Sequence, residues 1–344
     1  MPRSRRQSDP PWASLSDPRL LEMPLCDLGV TVEGSSVAPQ VQTLYGELGG
    51  QGIQFRPHVW LSDEWFTPDN VPGIAIPFYL AHPRLREMER TQMLEIEGGT
   101  PDWCMRILRH EAGHALDNAY RLHRRKPYRE LFGSYHEPYP DSYKPKPYTK
   151  HFVIHLDMWY AQAHPAEDFA ETFAVWLNPD SRWQEQYATW PAMRKLRYVE
   201  QVMGEVGGRP AAVTSRRRPH PMSSLRHTLG EHYERKRKYY CRDSPGIYDR
   251  DLRRIFSDRP EHSAKPAAAP FIEAFRGEAR MMISRWTGAS QLTIDRTIAD
   301  MILRVRQLGL RLSKPARQTR VDLVMMLAVQ TMNFVNDGKH RVVL

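Results

Sequence analysis

Five consecutive residues, His110-Glu111-Ala112-Gly113-His114, carry the strongest chemical signal in the chain. Two imidazoles four residues apart share one face of a helix, where both can grip a single metal ion, and the glutamate beside the first can reach a water on that ion. Metal-assisted hydrolysis is the chemistry this group performs. The competing reading is a surface helix with two ordinary histidines. It fits less well, because Ala112, Ala115 and Leu116 set the motif beside an apolar stripe where unpaired ionisable groups are costly.

Catalytic zinc usually takes three protein ligands and keeps a further position for water, so a third donor is needed. A metzincin extension would require glycine and histidine where the chain has Asp117 and Tyr120, and it is excluded. The other solution is a glutamate on a later helix, and residues 167–171 read Glu-Asp-Phe-Ala-Glu. Glu167 and Glu171 lie on one helix face flanking an apolar stripe, which calls for a cation to compensate them. Glu167 is assigned as the ligand of one Zn2+ ion. Glu171 becomes the acceptor that orients a ligand histidine, since metal-bound imidazoles usually donate their other ring nitrogen. On spacing alone the two glutamates can be exchanged. Asp117 is a further candidate acceptor around the ligands, whereas Asp168 points about 100° away from Glu167. Without the upstream histidines, the acidic cluster would read as a charged first turn favoured by the helix dipole.

The elements that must position these residues are legible around them. Before the first motif, Thr100 can cap a helix, Pro101 suits its first turn and Asp102 favours its positive end. Apolar residues then recur with helical rhythm from Trp103 to Ala119. A second helix is expected from Pro165, with Phe169, Ala170, Phe173, Ala174 and Leu177 as its stripe and Asn178-Pro179 as its stop. Residues 53–61 and 73–80 read as strands. Residues 124–150, with five prolines and five tyrosines, suit a long irregular loop that could serve as a lid.

Together, HEAGHALD, Tyr160 and AEDFAETF resemble the gluzincin catalytic domain of bacterial lethal-factor-type toxins, whose pattern is HExGHAxD, Tyr, AEFFAEAF. They resemble more closely still a family of bacterial zinc-binding metallopeptidases that share an HPxEDFAETFA style of second motif. The match covers roughly residues 100 to 180. The resemblance implies a zincin-like fold, Glu167 as ligand, Glu171 behind it, and Tyr160 as the donor that steadies the oxyanion. A phenol beside a metal is chemically suited to that task, with His155 and His164 as nearby alternatives and a core aromatic as the plain reading of Tyr160. In such a site Glu111 would take the proton of the attacking water and return it to the leaving amine. By the same analogy the strand at 73–80 would be an edge that pairs with an extended peptide.

The remainder of the chain bounds these readings. Its 344 residues suffice for two domains, with 41% apolar and 26% charged residues. The best apolar window, 321–335, contains Asp322, Gln330 and Asn333 and reads as a buried helix, so no membrane association is expected. Positive charge at the N-terminus is followed by no apolar stretch, and the expected location is cytoplasmic. Three scattered cysteines, Cys26, Cys104 and Cys241, offer neither a disulfide framework nor a cysteine metal site.

The net charge of +9 is unevenly spread: residues 1–208 hold 22 Lys/Arg against 27 Asp/Glu, and residues 209–344 hold 27 against 13. Glycine, proline and arginine mix without periodicity at 204–221, which marks a boundary. The expected organisation is a flexible N-terminus, 1–11; a zincin-like catalytic domain, 12–205; a basic linker, 206–221; and a mainly α-helical module, 222–344. Helical periodicity is expected there over 271–286, 294–312 and 321–335. The fold class is α+β.

Basic clusters at 216–218 and 235–238, the second followed by Tyr239 and Tyr240, could meet a single-stranded nucleic acid, although a solvated face explains them equally. The function expected is zinc-dependent hydrolysis of a peptide or protein substrate. Two alternatives stand beside it: a protease recruited to nucleic acid by the basic module, and a non-catalytic zinc-binding regulator. The last leaves Glu111 without a task.

Overall fold

A computed structural model describes residues 9–140, 143, 145–239 and 248–336. Most of the expected N-terminal segment, together with Tyr240 and Cys241, lies outside them. The chain divides into two compact units, one of residues up to 92 and 96–235, the other of 93–95 and residues from 236 onward. Among the described residues no helix is long and apolar enough to cross a membrane.

The first unit runs through α1 (Asp17–Leu21), α2 (Ala38–Gly50), β1 (His58–Ser62), β2 (Gly73–Pro77), α3 (Pro83–Met93), α4 (Pro101–Tyr120), α5 (Lys126–Phe132), α6 (Pro165–Leu177), α7 (Trp183–Gln186), α8 (Met193–Val206) and the start of α9 (Leu229–Tyr239). Mostly helical with few short strands, it has the α+β character expected. At its centre α4 packs on α6, whose residues from Ala166 to Leu177 are all buried. The two helices approach closely because Gly113 carries no side chain: a Cβ there would lie 2.8 Å from Ala170 Cα and 3.2 Å from Phe173 Cβ. The glycine of the motif thus sets the spacing of the helices that hold the site.

Both helix starts follow local rules. Thr100 caps α4 by accepting the Trp103 N–H, with Pro101 in the first turn. On α6 the cap is His164, whose Nδ1 accepts the Ala166 N–H while its Nε2–H donates to the Glu137 carbonyl. Elsewhere α4 is clamped to α2 by a two-pronged ion pair from Arg109 to Glu47.

The strands are shorter than the sequence implies. Residues before His58 are not strand, and after Pro77 the chain turns into a 3-10 helix, Phe78–Ala81. The two strands pair in parallel, His58 opposite Gly73, and β2 is buried throughout. The expected open edge of β2 is corrected by Phe66, which bridges Ala75 on the side away from β1, with Ala75 N–H donating to the Phe66 carbonyl at 2.9 Å.

The strip at 206–221 is a docked segment of the first unit. Side chains from one face of β1 take its main-chain carbonyls: His58 Nε2 meets Arg217 O at 2.9 Å, Trp60 Nε1 donates to Pro219 O at 3.0 Å, and Ser62 Oγ donates to His220 O at 2.7 Å. Val213 N–H donates to Ala119 O at the end of α4. Compact packing divides the chain after Arg235, beyond the expected linker.

The second unit contains α10 (Asp249–Ile255), β3 (Phe256–Ser257), α11 (Ala268–Thr287), α12 (Gln291–Gln307), β4 (Arg311–Leu312) and α13 (Ala316–Asn336). Gly288 ends α11 in the left-handed region and Ser290 caps α12. Arg276 and Arg280 of α11 both reach Asp295 of α12. The helix expected at 294–312 stops at Gln307, because Gly309 turns the chain at φ +61° so that β4 can pair antiparallel with β3. Among the described residues, the named elements of this unit are helices apart from that two-residue pair.

Candidate metal centre

One turn of α4 separates His110 from His114, and the first turn of α6 brings Glu167 up to both. His110 is fully buried, and Glu167 is 4% exposed. Three atoms form a nearly equilateral triangle: His110 Nε2 to His114 Nε2, His110 Nε2 to Glu167 Oε2, and His114 Nε2 to Glu167 Oε2 are each 3.1 Å.

Behind this triangle Glu171, one turn along α6, fixes the first imidazole. Its Oε1 accepts the Nδ1–H of His110 at 2.8 Å, and its Oε2 accepts the Leu156 N–H at 2.8 Å. With Nδ1–H committed to Glu171, Nε2 is the His110 nitrogen that faces the triangle. Of the two glutamates that the spacing left interchangeable, Glu167 lies in the triangle and Glu171 stands behind His110. Asp117 does something else: its Oδ1 accepts both the N–H and the Nδ1–H of His123, tying down the turn after α4. It is not an acceptor for the two motif histidines.

Electrostatics favour a cation at the triangle. Burial by itself would lower His110, yet its hydrogen bonds to Glu167 and Glu171 override that and hold it up at about 10. Burial would raise Glu167, but the pull of His114 and the hydrogen bonds from both histidines keep it well below the usual carboxylate range. Glu171 is likewise lowered by His110 against the effect of burial. A tetrahedral zinc ion with bonds of about 2.0–2.1 Å sets its donors about 3.3–3.4 Å apart. The observed 3.1 Å is within a few tenths of an ångström of that spacing, and the set of two imidazoles and one carboxylate suits zinc.

Glu111, 3% exposed, is oriented by a residue the sequence did not single out: Thr67 Oγ1 donates to Glu111 Oε2 at 2.7 Å. Thr67 lies in the loop between β1 and β2, a loop held on α4 by Asn118, whose side chain meets Asn70 N–H and the Pro68 carbonyl. Tyr139, from the proline- and tyrosine-rich stretch, donates its O–H to Glu167 Oε1 at 2.7 Å and stacks on His164 at 3.8 Å. Both oxygens of Glu167 thus have assigned partners, Oε1 the phenol and Oε2 the triangle. No local pattern flags either residue, because each arrives from a loop distant in sequence.

Tyr160 lies with its ring 5.7 Å from that of His110. Burial first, then the neighbouring Glu167, raises its phenol well above the ordinary value, so it keeps its proton as a donor. Two residues ahead of it the backbone is strained: Met158 and Trp159 have φ of 60° and 53°, a conformation costing on the order of 1–3 kcal/mol per residue. Tyr143 O–H donates to the Met158 carbonyl and steadies that turn. The two histidine alternatives to Tyr160 have backbone duties. His155 Nε2 meets the Arg106 carbonyl, and burial lowers its pKa to about 4, while His164 is the α6 cap.

The middle acidic residue of the cluster, Asp168, faces elsewhere. Asp168 pairs with Lys195 of α8 at 2.5 Å, and the same ammonium donates to the His151 carbonyl. This buried pair fastens the back of α6 to α8.

No curated protein and no solved structure matches the chain. Residues 73–190, from β2 through the helices carrying His110, His114 and Glu167 to the turn after α7, match the model of the family described as putative zinc-binding metallo-peptidase.

Proposed function

We propose that the chain hydrolyses peptide bonds as a zinc-dependent peptidase of the gluzincin type, with His110, His114 and Glu167 as ligands of one ion. The observation that carries this reading is the 3.1 Å triangle of two imidazole nitrogens and one carboxylate oxygen, with Glu111 of the same motif anchored on Thr67. When bound, zinc would lower the pKa of a water and polarise the scissile carbonyl.

The chain's own groups supply the remaining chemistry. Glu111 removes a proton from the attacking water and delivers it to the leaving amine, and Thr67, holding Oε2, leaves Oε1 for that transfer. Tyr160, kept protonated by its buried surroundings, donates to the developing oxyanion. Glu171 fixes the His110 tautomer, and Tyr139 restrains Glu167 through its other oxygen. A purely structural zinc site would more usually have four protein ligands and no use for a positioned Glu111. The reading is supported by the family match over residues 73–190.

The test is zinc content and cleavage of a diverse peptide library for the wild type, Glu111→Gln, Glu167→Ala and Tyr160→Phe. Glu111→Gln should keep zinc and lose activity, Glu167→Ala should weaken zinc binding, and Tyr160→Phe should lower kcat by about 10²–10³ with zinc retained. Full activity of Glu111→Gln would refute the mechanism. Undiminished zinc affinity in Glu167→Ala would remove the third ligand.

A further inference from the structure

A second convergence of donor atoms occurs in the first unit, outside the centre just described. One potential ligand atom from each of Asp63, His227 and His232 lies within 4.8 Å of the other two. We propose that these three residues bind a second divalent transition-metal ion, which clamps the start of α9 to the end of β1.

The backbone prepares this site from two directions. Asp63 directly follows β1, and the Ser62 hydroxyl lies 3.0 Å from Asp63 Oδ1 and 2.7 Å from the His220 carbonyl. The two histidines flank a capping box, in which Thr228 Oγ1 accepts the Glu231 N–H and Glu231 Oε2 accepts the Thr228 N–H. His227 immediately precedes the cap and His232 stands at the fourth helical position. Those two places are ordinarily filled by apolar side chains that pack together as a staple across the helix start. Here they carry imidazoles with ring planes 21° apart and centroids 6.2 Å apart. Backbone hydrogen bonds from Leu25 N–H to the His227 carbonyl and from Leu229 N–H to the Met23 carbonyl hold the segment on both sides of the cap.

Packing alone would be served better by aliphatic residues than by two nitrogen heterocycles beside a carboxylate. The buried Nε2 of His227 has no hydrogen-bond partner among the described residues, and His232 is 5% exposed. Asp63 and His227 are partly exposed, so their side chains can close the remaining gap and leave a solvent-facing position on the ion. Two imidazoles and one carboxylate select zinc or a neighbouring divalent transition metal over calcium or magnesium. Because its ligands come from the strand end and the helix start, the ion would act as a tie between them.

The experiment strips the full chain with a chelator and titrates it with Co2+, then Zn2+, counting bound equivalents for the wild type and for Asp63→Asn/His227→Gln. The double variant should bind one equivalent fewer than the wild type. As many equivalents in the variant as in the wild type would overturn the proposal. Glu167→Ala, titrated in parallel, keeps the two sites distinct, because loss at one should leave the other intact. Should circular dichroism show the double variant unfolded, Asp63→Asn alone decides. It is near-isosteric and partly exposed, and should weaken one Co2+ equivalent at least tenfold; unchanged affinity overturns the assignment.

Discussion

Replacing Gly113 by alanine sets two opposing effects against each other. In the interior of an isolated helix the change gains about 0.8–1.0 kcal/mol, because glycine is a poor helix former. In this protein the new Cβ would meet Ala170 Cα at 2.8 Å, Ala170 O at 3.2 Å and Phe173 Cβ at 3.2 Å. Carbon atoms rest at about 3.5–4.0 Å, so α4 and α6 must separate by roughly 1 Å. The nearest obstacle is backbone and cannot rotate aside, which places the overpacking cost toward the upper part of the usual 1–3 kcal/mol, about 2–3 kcal/mol. The net loss is then about 1–2 kcal/mol. For a domain of this size that lowers Tm by about 3–6 °C.

The same displacement acts on the triangle, since two donors ride on α4 and the third on α6. Metal–ligand distances tolerate only about 0.2 Å, so zinc affinity should fall by about tenfold or more. Thermal unfolding with and without a chelator, together with competition against a chromogenic zinc indicator, reads both effects. A Gly113→Ala protein that is more stable than wild type and binds zinc equally would refute the argument that this glycine sets the helix spacing.

Two other perturbations separate positioning from packing. Thr67→Val keeps the shape of the side chain but removes the hydroxyl on Glu111 Oε2; kcat should fall by about tenfold or more with zinc content unchanged, and an unaltered kcat would show that the base needs no such support. Lys195→Met should destabilise the first unit by about 3 kcal/mol or more at pH 8, because it leaves Asp168 as an uncompensated buried charge. Burial pushes Asp168 up to about 7 from 3.8, against the pull of Lys195, so the fold holds that proton more tightly than the unfolded chain does. Its contribution is therefore fully present below 3.8 and lost as pH rises toward 7. Urea unfolding at pH 6 and pH 8 should accordingly show a larger defect in Lys195→Met at the higher pH, and a defect larger at pH 6 would contradict that sign.

What could be read from the sequence was what local periodicity encodes. The four-residue spacings in His110/His114 and Glu167/Glu171, the Thr100 cap and the prolines at the helix starts are short-range facts, and each predicted helix holds its residues where that spacing implies. Partners that arrive from distant loops were not legible: Thr67 and Tyr139 belong to no repeat and touch α4 or α6 only after the chain has folded. Asp117 looked like support for the ligands because it shares their helix, but the turn after α4 carries His123 back to claim it.

His164 was attractive as a donor by proximity, and the α6 N-terminus uses it as a cap instead. The misplaced ends at 73–80 and 294–312 share one cause. Apolar content continued past the point where the backbone had already turned, at Pro77 in one case and at Gly309 in the other. The strip at 206–221 misled for a further reason, since glycine- and proline-rich composition reports flexibility of the free chain and says nothing of what may hold it.

The way β1 grips that strip has a consequence for how the protein can vary. His58, Trp60 and Ser62 bind carbonyl oxygens, groups that every amino acid possesses, while the side chains of Arg216, Arg217 and Arg218 remain exposed. The docking is therefore blind to residue identity and strict about count. Arginines there can be exchanged for other residues without unseating the strip, whereas one inserted or deleted residue between 213 and 220 shifts every carbonyl out of reach of its partner.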